Sequence, residues 1–210
     1  MTAVVDEETV VTQEIGEEDL DQVLWQAWKA MKLPEGYRAE IIEGSIEVSP
    51  TGRRRHAVLA NRLRDALVLF LQNTEYAAYQ DTNVIHGLKS VIPDVLIASK
   101  DLDEAPDPEG LGVDARGVLL VVEVVSPGYD DRKRDRERKR RAYARAGIPV
   151  YVLVDDHDED GKVTVLTRPE PAHARYAGEL SLPYGTDPVV PEGPAKGFTI
   201  GEEITRGRPE

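Results

Sequence analysis

The stretch that decides the fold is Val118–Val125, VLLVVEVV: seven apolar residues, mostly β-branched, around a single glutamate, Glu123. An unbroken apolar run of this length reads as a strand covered on both faces. After it, Ser126-Pro127-Gly128 breaks the chain, and a long helix follows over 131–146, stopped by Gly147 and Pro149. Strand 150–154, an acidic turn over 155–161 and strand 163–167 come next. Before the run, strands near 76–85 and 91–98 are joined by His86-Gly87-Leu88-Lys89, a hairpin signal. Residues 101–116 hold Pro106, Pro108, Gly110 and Gly112 and read as a loop. Residues 54–72 are the clearest amphipathic helix, with Leu59, Leu63, Ala66, Leu67 and Phe70 at three- and four-residue steps. Further out, 17–31 predicts a short helix, and 37–42 and 45–49 predict two strands joined at Glu43-Gly44. The proline-rich remainder predicts short strands wrapping the core. From 54 to 154 the order is helix, three strands, helix, strand, which implies an α/β sandwich with a mixed sheet flanked by helices.

The 210 residues, 40% hydrophobic, suit one ordinary domain, expected over 16–210. Residues 1–15 are expected to be a flexible acidic arm, because 1–21 hold eight Asp and Glu and no Lys or Arg. The net charge of −13 excludes a globally basic nucleic-acid coat but not a local patch. Such a patch is present: Arg132, Lys133, Arg134, Arg136, Arg138, Lys139, Arg140, Arg141 and Arg145 crowd one helix against Asp135 and Glu137, and Arg53, Arg54 and Arg55 form a second knot. The plain alternative is a solvated charged surface. With no cysteine, disulfides, thiolate metal sites and cysteine nucleophiles are excluded. No apolar run has the length of a membrane span, and acids stand where a signal peptide needs positive charge, so a soluble cytoplasmic protein is expected.

Three residues contradict their surroundings. Glu123 interrupts the most apolar strand, where a lone ionised carboxylate is costly unless a cation adjoins it; it could otherwise reach solvent or pair with an arginine. Asp94 follows Pro93 inside the apolar run Val91–Ile97, which marks an edge or a bulge, positions that often aim side chains at active sites; it could otherwise close a local turn. Lys139 lies on the inward stripe of helix 131–146 with Ala142, Tyr143 and Ala146, and Asp135 one turn earlier shares it; a buried Asp135–Lys139 pair or a snorkelling stem would also explain this. Two carboxylates and an amine are a sensible group for holding Mg²⁺ or Mn²⁺ against a phosphate.

Pro93-Asp94, Glu123 on an apolar strand and a following lysine together resemble the PD-(D/E)XK nuclease superfamily. The set Glu40-Ile41-Ile42-Glu43-Gly44, Ser49-Pro50 with His56, Pro93-Asp94-Val95, Val122–Pro127, Asp135 with Lys139 and Tyr143, and Gly147–Asp155 resembles more closely the Uma-two family of restriction-endonuclease-like proteins, over about 35–205. The resemblance implies a restriction-endonuclease-like αβββαβ core with an added N-terminal helix and hairpin, and metal-dependent cleavage of DNA. It implies Asp94, Glu123 and Lys139 as catalytic residues, with the metal on Asp94, Glu123 and Glu40, Glu43 standing in for Glu40 if needed. The superfamily lysine usually stands two residues after the glutamate, where this chain has Val125; the resemblance implies that it has moved to Lys139. His56 would touch a phosphate or orient a carboxylate, or serve structurally, and Asp135 would support Lys139. Arg53, Arg54, Arg55, Arg132 and Arg136 would track phosphates. A homodimer would suit a double-strand cut. The competing expectations are a catalytically inactive binding or assembly protein that keeps the fold, and hydrolysis of another phosphodiester; no P-loop or Gly-x-Ser-x-Gly elbow is present.

Overall fold

The computed structural model describes residues 16–50 and 52–207, so the acidic arm expected over 1–15 lies outside the described residues. The elements are α1 (Glu17–Ala30), β1 (Tyr37–Ile42), β2 (Ser45–Pro50), α2 (Arg54–Leu71), β3 (Tyr76–Tyr79), β4 (Val84–His86), β5 (Lys89–Val91), β6 (Val95–Ser99), β7 (Val113–Asp114), β8 (Leu120–Val124), α3 (Tyr129–Lys133), a π-helical turn (Arg134–Arg138), α4 (Lys139–Arg145), β9 (Val150–Asp155), β10 (Lys162–Glu170), β11 (Arg175–Pro183) and α5 (Glu202–Thr205). Among the described residues the main sheet has the order β11-β10-β9-β8-β6-β3. It is mixed: β8 runs parallel to β9 and antiparallel to β6. The apolar run thus forms an interior strand, β8, with every residue from Leu120 to Val124 buried, as an unalternating pattern requires. The α2, β3, β6, β8, α3–α4, β9 sequence is the expected helix, three strands, helix, strand, and the parallel β8–β9 pair needs a crossover of the kind α3–α4 supplies.

Both faces of this sheet are packed. Leu59, Leu63, Leu67 and Leu71 of α2 meet Val95, Ile97, Val122, Val124, Val152 and Val154, and Phe198, Ile200 and Ile204 close the same layer. Tyr143 and Ala144 of α4 meet Leu96, Val121, Val125, Tyr151 and Leu153 on the other side. Period-2 alternation decides which layer each strand residue joins. Glu123 shares its face with Val121 and Val125, so it points toward α4.

The structure corrects several expected boundaries. The strand expected over 76–85 is two strands in different sheets, because Asp81 takes φ 52° and turns the chain between them. The strand expected over 91–98 is likewise split at Ile92-Pro93-Asp94, where Pro93 has no N–H for a ladder; β5 joins β4 and β7 in a small sheet, while β6 joins the main one. The 101–116 loop contributes β7, which pairs parallel with β4. The C-terminal segment includes the nine-residue strand β11, not only short pieces. The helix expected over 131–146 starts at Tyr129 and is interrupted by the π turn. That turn holds one residue more than an α turn, so Arg134 is buried along with Asp135, although periodicity placed the cations beside Lys139 outward.

The β1–β2 hairpin carries Glu40 and is locked onto α4 by its turn. Ile42 pairs with Ser45, leaving Glu43-Gly44 as a two-residue turn with φ 47° and 76°. A left-handed glutamate is strained, and the ion pairs it makes offset that cost. Arg141 donates Nε to Glu43 Oε1 at 2.6 Å and Nη2 to Oε2 at 2.7 Å, and Arg145 adds a bond at 3.2 Å. Arg138 bonds Glu47, the Ile42 carbonyl and Ser45 Oγ. The Arg141 bond outweighs partial burial and holds the Glu43 carboxyl down at about 2. A depressed carboxyl stabilises the fold above its ordinary value of 4.5, and that contribution fades as pH falls toward about 2. Glu43→Gln is therefore expected to lower the urea midpoint at neutral pH, by a difference that shrinks as the pH drops below 4.5; a constant difference would mean that the ionised pair contributes nothing.

Candidate active site

Four elements meet at the C-terminal end of β8: the hairpin strand β1, the kink between β5 and β6, β8 itself and α4. Lys139 stands at their junction, with 1% of its side chain exposed. Its Nζ lies 2.9 Å from Glu123 Oε1 and 3.0 Å from Glu40 Oε1, and it donates to the Ile92 carbonyl at 3.1 Å. Tyr143, one turn along α4, donates its hydroxyl to the same Glu123 oxygen. The i, i+4 spacing of Lys139 and Tyr143 puts both donors on one helical face.

Asp94 lies in the kink. Its Oδ2 accepts the Val124 amide at 2.7 Å and lies 3.0 Å from His56 Nε2, and its Oδ1 is 3.5 Å from Arg38 Nη2. Because Val124 is the neighbour of Glu123, these bonds bring Asp94 to the Glu123 end of β8. Glu40 Oε1 also accepts the Ile92 amide at 2.7 Å, so the residue before Pro93 has both its N–H and its C=O satisfied by site side chains. His56 has its ring against Gly52, where any Cβ would come within 2.2 Å of Nδ1, so a glycine is needed two residues after Pro50 for this seat.

The electrostatics follow from four buried carboxylates, Glu40, Asp94, Glu123 and Asp135, sharing few cations. Burial and the charges of Asp94, Asp135 and Glu40 push the Glu123 carboxyl up, against the pull of Lys139. Burial works against the Lys139 ammonium, but Glu123, Glu40 and Asp135 outweigh it and hold its pKa above the ordinary lysine value. Burial opposes ionisation of Asp94 too, yet His56, Lys139 and Arg38 keep its carboxyl below the usual range. The bond to Asp94 raises His56 despite burial.

Of the residues singled out in the sequence, Asp94, Glu123, Lys139, Glu40 and His56 are brought together. Asp135 is adjacent but bonded elsewhere, to the Ser126 amide at 3.0 Å and to Arg134 Nε at 2.9 Å. Glu43 is not in the group, being held at the hairpin turn by Arg141. Arg53 and His56 line a cleft of about 380 Å³ with Val124, Pro127 and His157, so the cleft reaches both groups bonded to Asp94 Oδ2. Arg54 faces a separate depression with Arg62 and Arg206. Arg55 also borders the cleft, but it spends its guanidinium on Asp156 and on the Thr205 and Arg206 carbonyls. Arg136 is tied to Asp155 at 2.7 Å, and Arg132 borders a groove with Tyr129 and Lys133. Sequence reading overlooked Arg38 and the polar role of Tyr143. Arg38 could have been found from the strand alternation Arg38-Ala39-Glu40, which puts both charged side chains on one face.

All-oxygen donors are what Mg²⁺ or Mn²⁺ requires, and such ions are commonly held by one or two carboxylates plus water and substrate oxygens. Asp94 and Glu123 fit that description, although no three His, Asp or Glu among the described residues form a ready-made cage.

Removing Lys139 would strand Glu40 and Glu123 without their shared cation. Lys139→Met is expected to cost about 3–5 kcal/mol of stability, measured by urea unfolding, and Lys139→Met combined with Glu123→Gln should recover part of it. A single variant as stable as the parent would show that the carboxylates are neutral in the folded protein.

Comparison with known proteins bears on what this arrangement belongs to. The Uma2 (Uma-two) family, described as "Putative restriction endonuclease", matches residues 25–200. Among solved structures the chain is similar to "a putative nuclease belonging to DUF820" from Anabaena variabilis, at 15% identity and a TM-score of 0.64, covering 86% of this chain and 96% of that one. At that identity the likeness bears on the fold. No curated protein matches. No helix among the described residues is long and apolar enough to cross a membrane. With most of its length matched, and with the motif residues of β1, the Pro93-Asp94 kink, β8 and α4 gathered at one point, this chain belongs to the Uma2 family.

Proposed function

We propose that the chain is a divalent-metal-dependent nuclease that hydrolyses DNA phosphodiesters, with Asp94, Glu123 and Lys139 carrying the reaction. The observation that supports this reading is the convergence of Asp94, through the Val124 amide, and Lys139, through Glu123, on the end of β8. Asp94 and Glu123, with Glu40 beside them, would hold Mg²⁺ or Mn²⁺. When bound, such an ion would polarise the phosphoryl oxygen and lower the pKa of a water. In the hydrolysis, a water oxygen attacks phosphorus and gives up a proton to solvent, while the leaving oxygen departs with the bonding pair and takes up a proton. Lys139 keeps its proton and spends its three N–H groups on Glu123, Glu40 and the Ile92 carbonyl, so it acts not as a base but as a fixed positive charge that holds the carboxylates and offsets charge growing on the phosphoryl oxygens. Glu40 and Tyr143 act through the other residues: Glu40 anchors the ammonium and the kink, and Tyr143 fixes the Glu123 oxygen. The cleft beside His56 is the approach for the backbone, with Arg53 at its rim, and Arg132 would meet phosphates from the separate groove it borders.

A second reading, a nuclease-fold binding protein without turnover, is favoured by one observation: the carboxylates are buried and already bonded to Lys139, Tyr143, His56 and backbone amides. Incubating duplex DNA with the protein and Mg²⁺ or Mn²⁺ separates the two. Cleavage is expected from the parent, to be abolished by chelation, and to fall at least about 100-fold in Asp94→Asn and Glu123→Gln, the scale of losing one positioned acid–base or electrostatic group. Glu43→Gln, away from the cluster, should cleave as the parent does. Metal-independent nicking, or cleavage that survives both substitutions, would reject the assignment.

A further inference from the structure

Arg38 is the cation beside the site whose bonding capacity the fold leaves unspent. It stands on β1 two residues before Glu40, so both side chains project from the same face of the strand. Its side chain is 19% exposed. Its contact with Asp94 Oδ1 is 3.5 Å, at the outer limit of a hydrogen bond. Its Nε is buried and has no hydrogen-bond partner among the described residues. Arg136 also leaves a buried Nη2 without a partner among the described residues, but its Nε is tied to Asp155 at 2.7 Å, and three other arginines around the site are fully engaged. Arg134 is fastened by Asp131 and Asp135, Arg138 by Glu47, Ile42 and Ser45, and Arg141 by Glu43 through two bonds. A buried N–H without a partner is uncommon and calls for an explanation.

Asp94 does not depend on Arg38 alone. Its Oδ2 holds the shorter bonds, to Val124 and His56, so the guanidinium can turn away without stranding the carboxylate. A guanidinium carries five N–H donors in a planar fork that matches two oxygens of a phosphate. Lys139 cannot fill that role, since its ammonium is buried between Glu40 and Glu123.

We propose that Arg38 grips the scissile phosphodiester: its guanidinium leaves Asp94 Oδ1 for the non-bridging phosphoryl oxygens of a substrate brought to Asp94 and Glu123. This rests on the nuclease reading above and extends it to the group that recognises the phosphate. Negative charge on those oxygens grows as the water attacks, so the contact strengthens toward the transition state and acts mainly on kcat.

The test uses the full chain with two readouts. The first is cleavage of a short duplex in whichever of Mg²⁺ or Mn²⁺ supports the parent. Arg38→Ala should lower kcat/KM about 100-fold, mostly in kcat. Arg38→Lys should recover only part, and added methylguanidinium should restore Arg38→Ala at least about tenfold while leaving Asp94→Asn inactive. The second readout is fluorescence anisotropy of the same duplex without metal at low salt, where Arg38→Ala should bind less tightly than the parent. Parent-like kinetics in Arg38→Ala would overturn the proposal, as would a loss that methylguanidinium cannot restore together with a lowered melting temperature, the mark of a residue that only props Asp94. If the parent binds DNA but cleaves none, the nuclease reading fails and the anisotropy of Arg38→Ala decides for or against the phosphate contact; a parent that neither binds nor cleaves overturns both.

Discussion

The burial of one ammonium among carboxylates is the constraint on which the rest of this molecule turns. Lys139 comes from a helix, Glu40 from a hairpin, Glu123 from the central strand, and the Ile92 carbonyl from the kink between two sheets. None of these groups is tolerable in the interior by itself, since a charge taken out of water must find a partner. Each element is therefore held to the others by a polar requirement that apolar packing does not impose. The two apolar layers on the main sheet could slide or exchange side chains of similar volume; the ammonium and its acceptors have one arrangement.

The same junction explains why a chain break lies at its centre. Pro93 ends the ladder of β5, and the chain crosses to the main sheet before β6 begins. The Ile92 N–H and C=O, which a continuous ladder would have satisfied, are taken up by Glu40 and Lys139. Asp94, one residue beyond Pro93, caps the Val124 amide of the neighbouring strand. The kink thus aims a buried carboxylate at the end of β8 while the site's own side chains repair the backbone, and structural repair and candidate chemistry rest on the same atoms. A substitution there acts on stability and on chemistry together, so isosteric changes such as Asp94→Asn are more informative than truncations.

Charge is distributed so that the overall acidity and a local basic face coexist. Much of the basic helix is internally compensated: Arg138 and Arg141 bind the hairpin acids, Arg134 binds Asp131 and Asp135, and Arg136 binds Asp155. The cations of that helix mainly assemble the fold, and the number of basic residues in a run overstates the surface open to a polyanion.

What the sequence determined by itself was the pattern. The unalternating VLLVVEVV run reads as an interior strand, the leucine spacing of 54–72 reads as a helix with one face packed, and Asp94, Glu123 and Lys139 were conspicuous because each sat in an apolar pattern where an isolated charge is costly. Local rules suffice for these, since periodicity and desolvation act residue by residue. What the tertiary structure decided was partnership and direction. Asp81 and Pro93 split two expected strands between sheets because turn geometry at a single residue redirects everything after it. The π turn buried Arg134 because one extra residue per turn cannot be seen in an apolar stripe. Glu40 entered the site and Glu43, three positions away, did not, because a strand and its turn point in different directions. Arg38 remained hidden because an incompletely bonded guanidinium is a property of three-dimensional neighbours, and nothing in the residue's own sequence context records it.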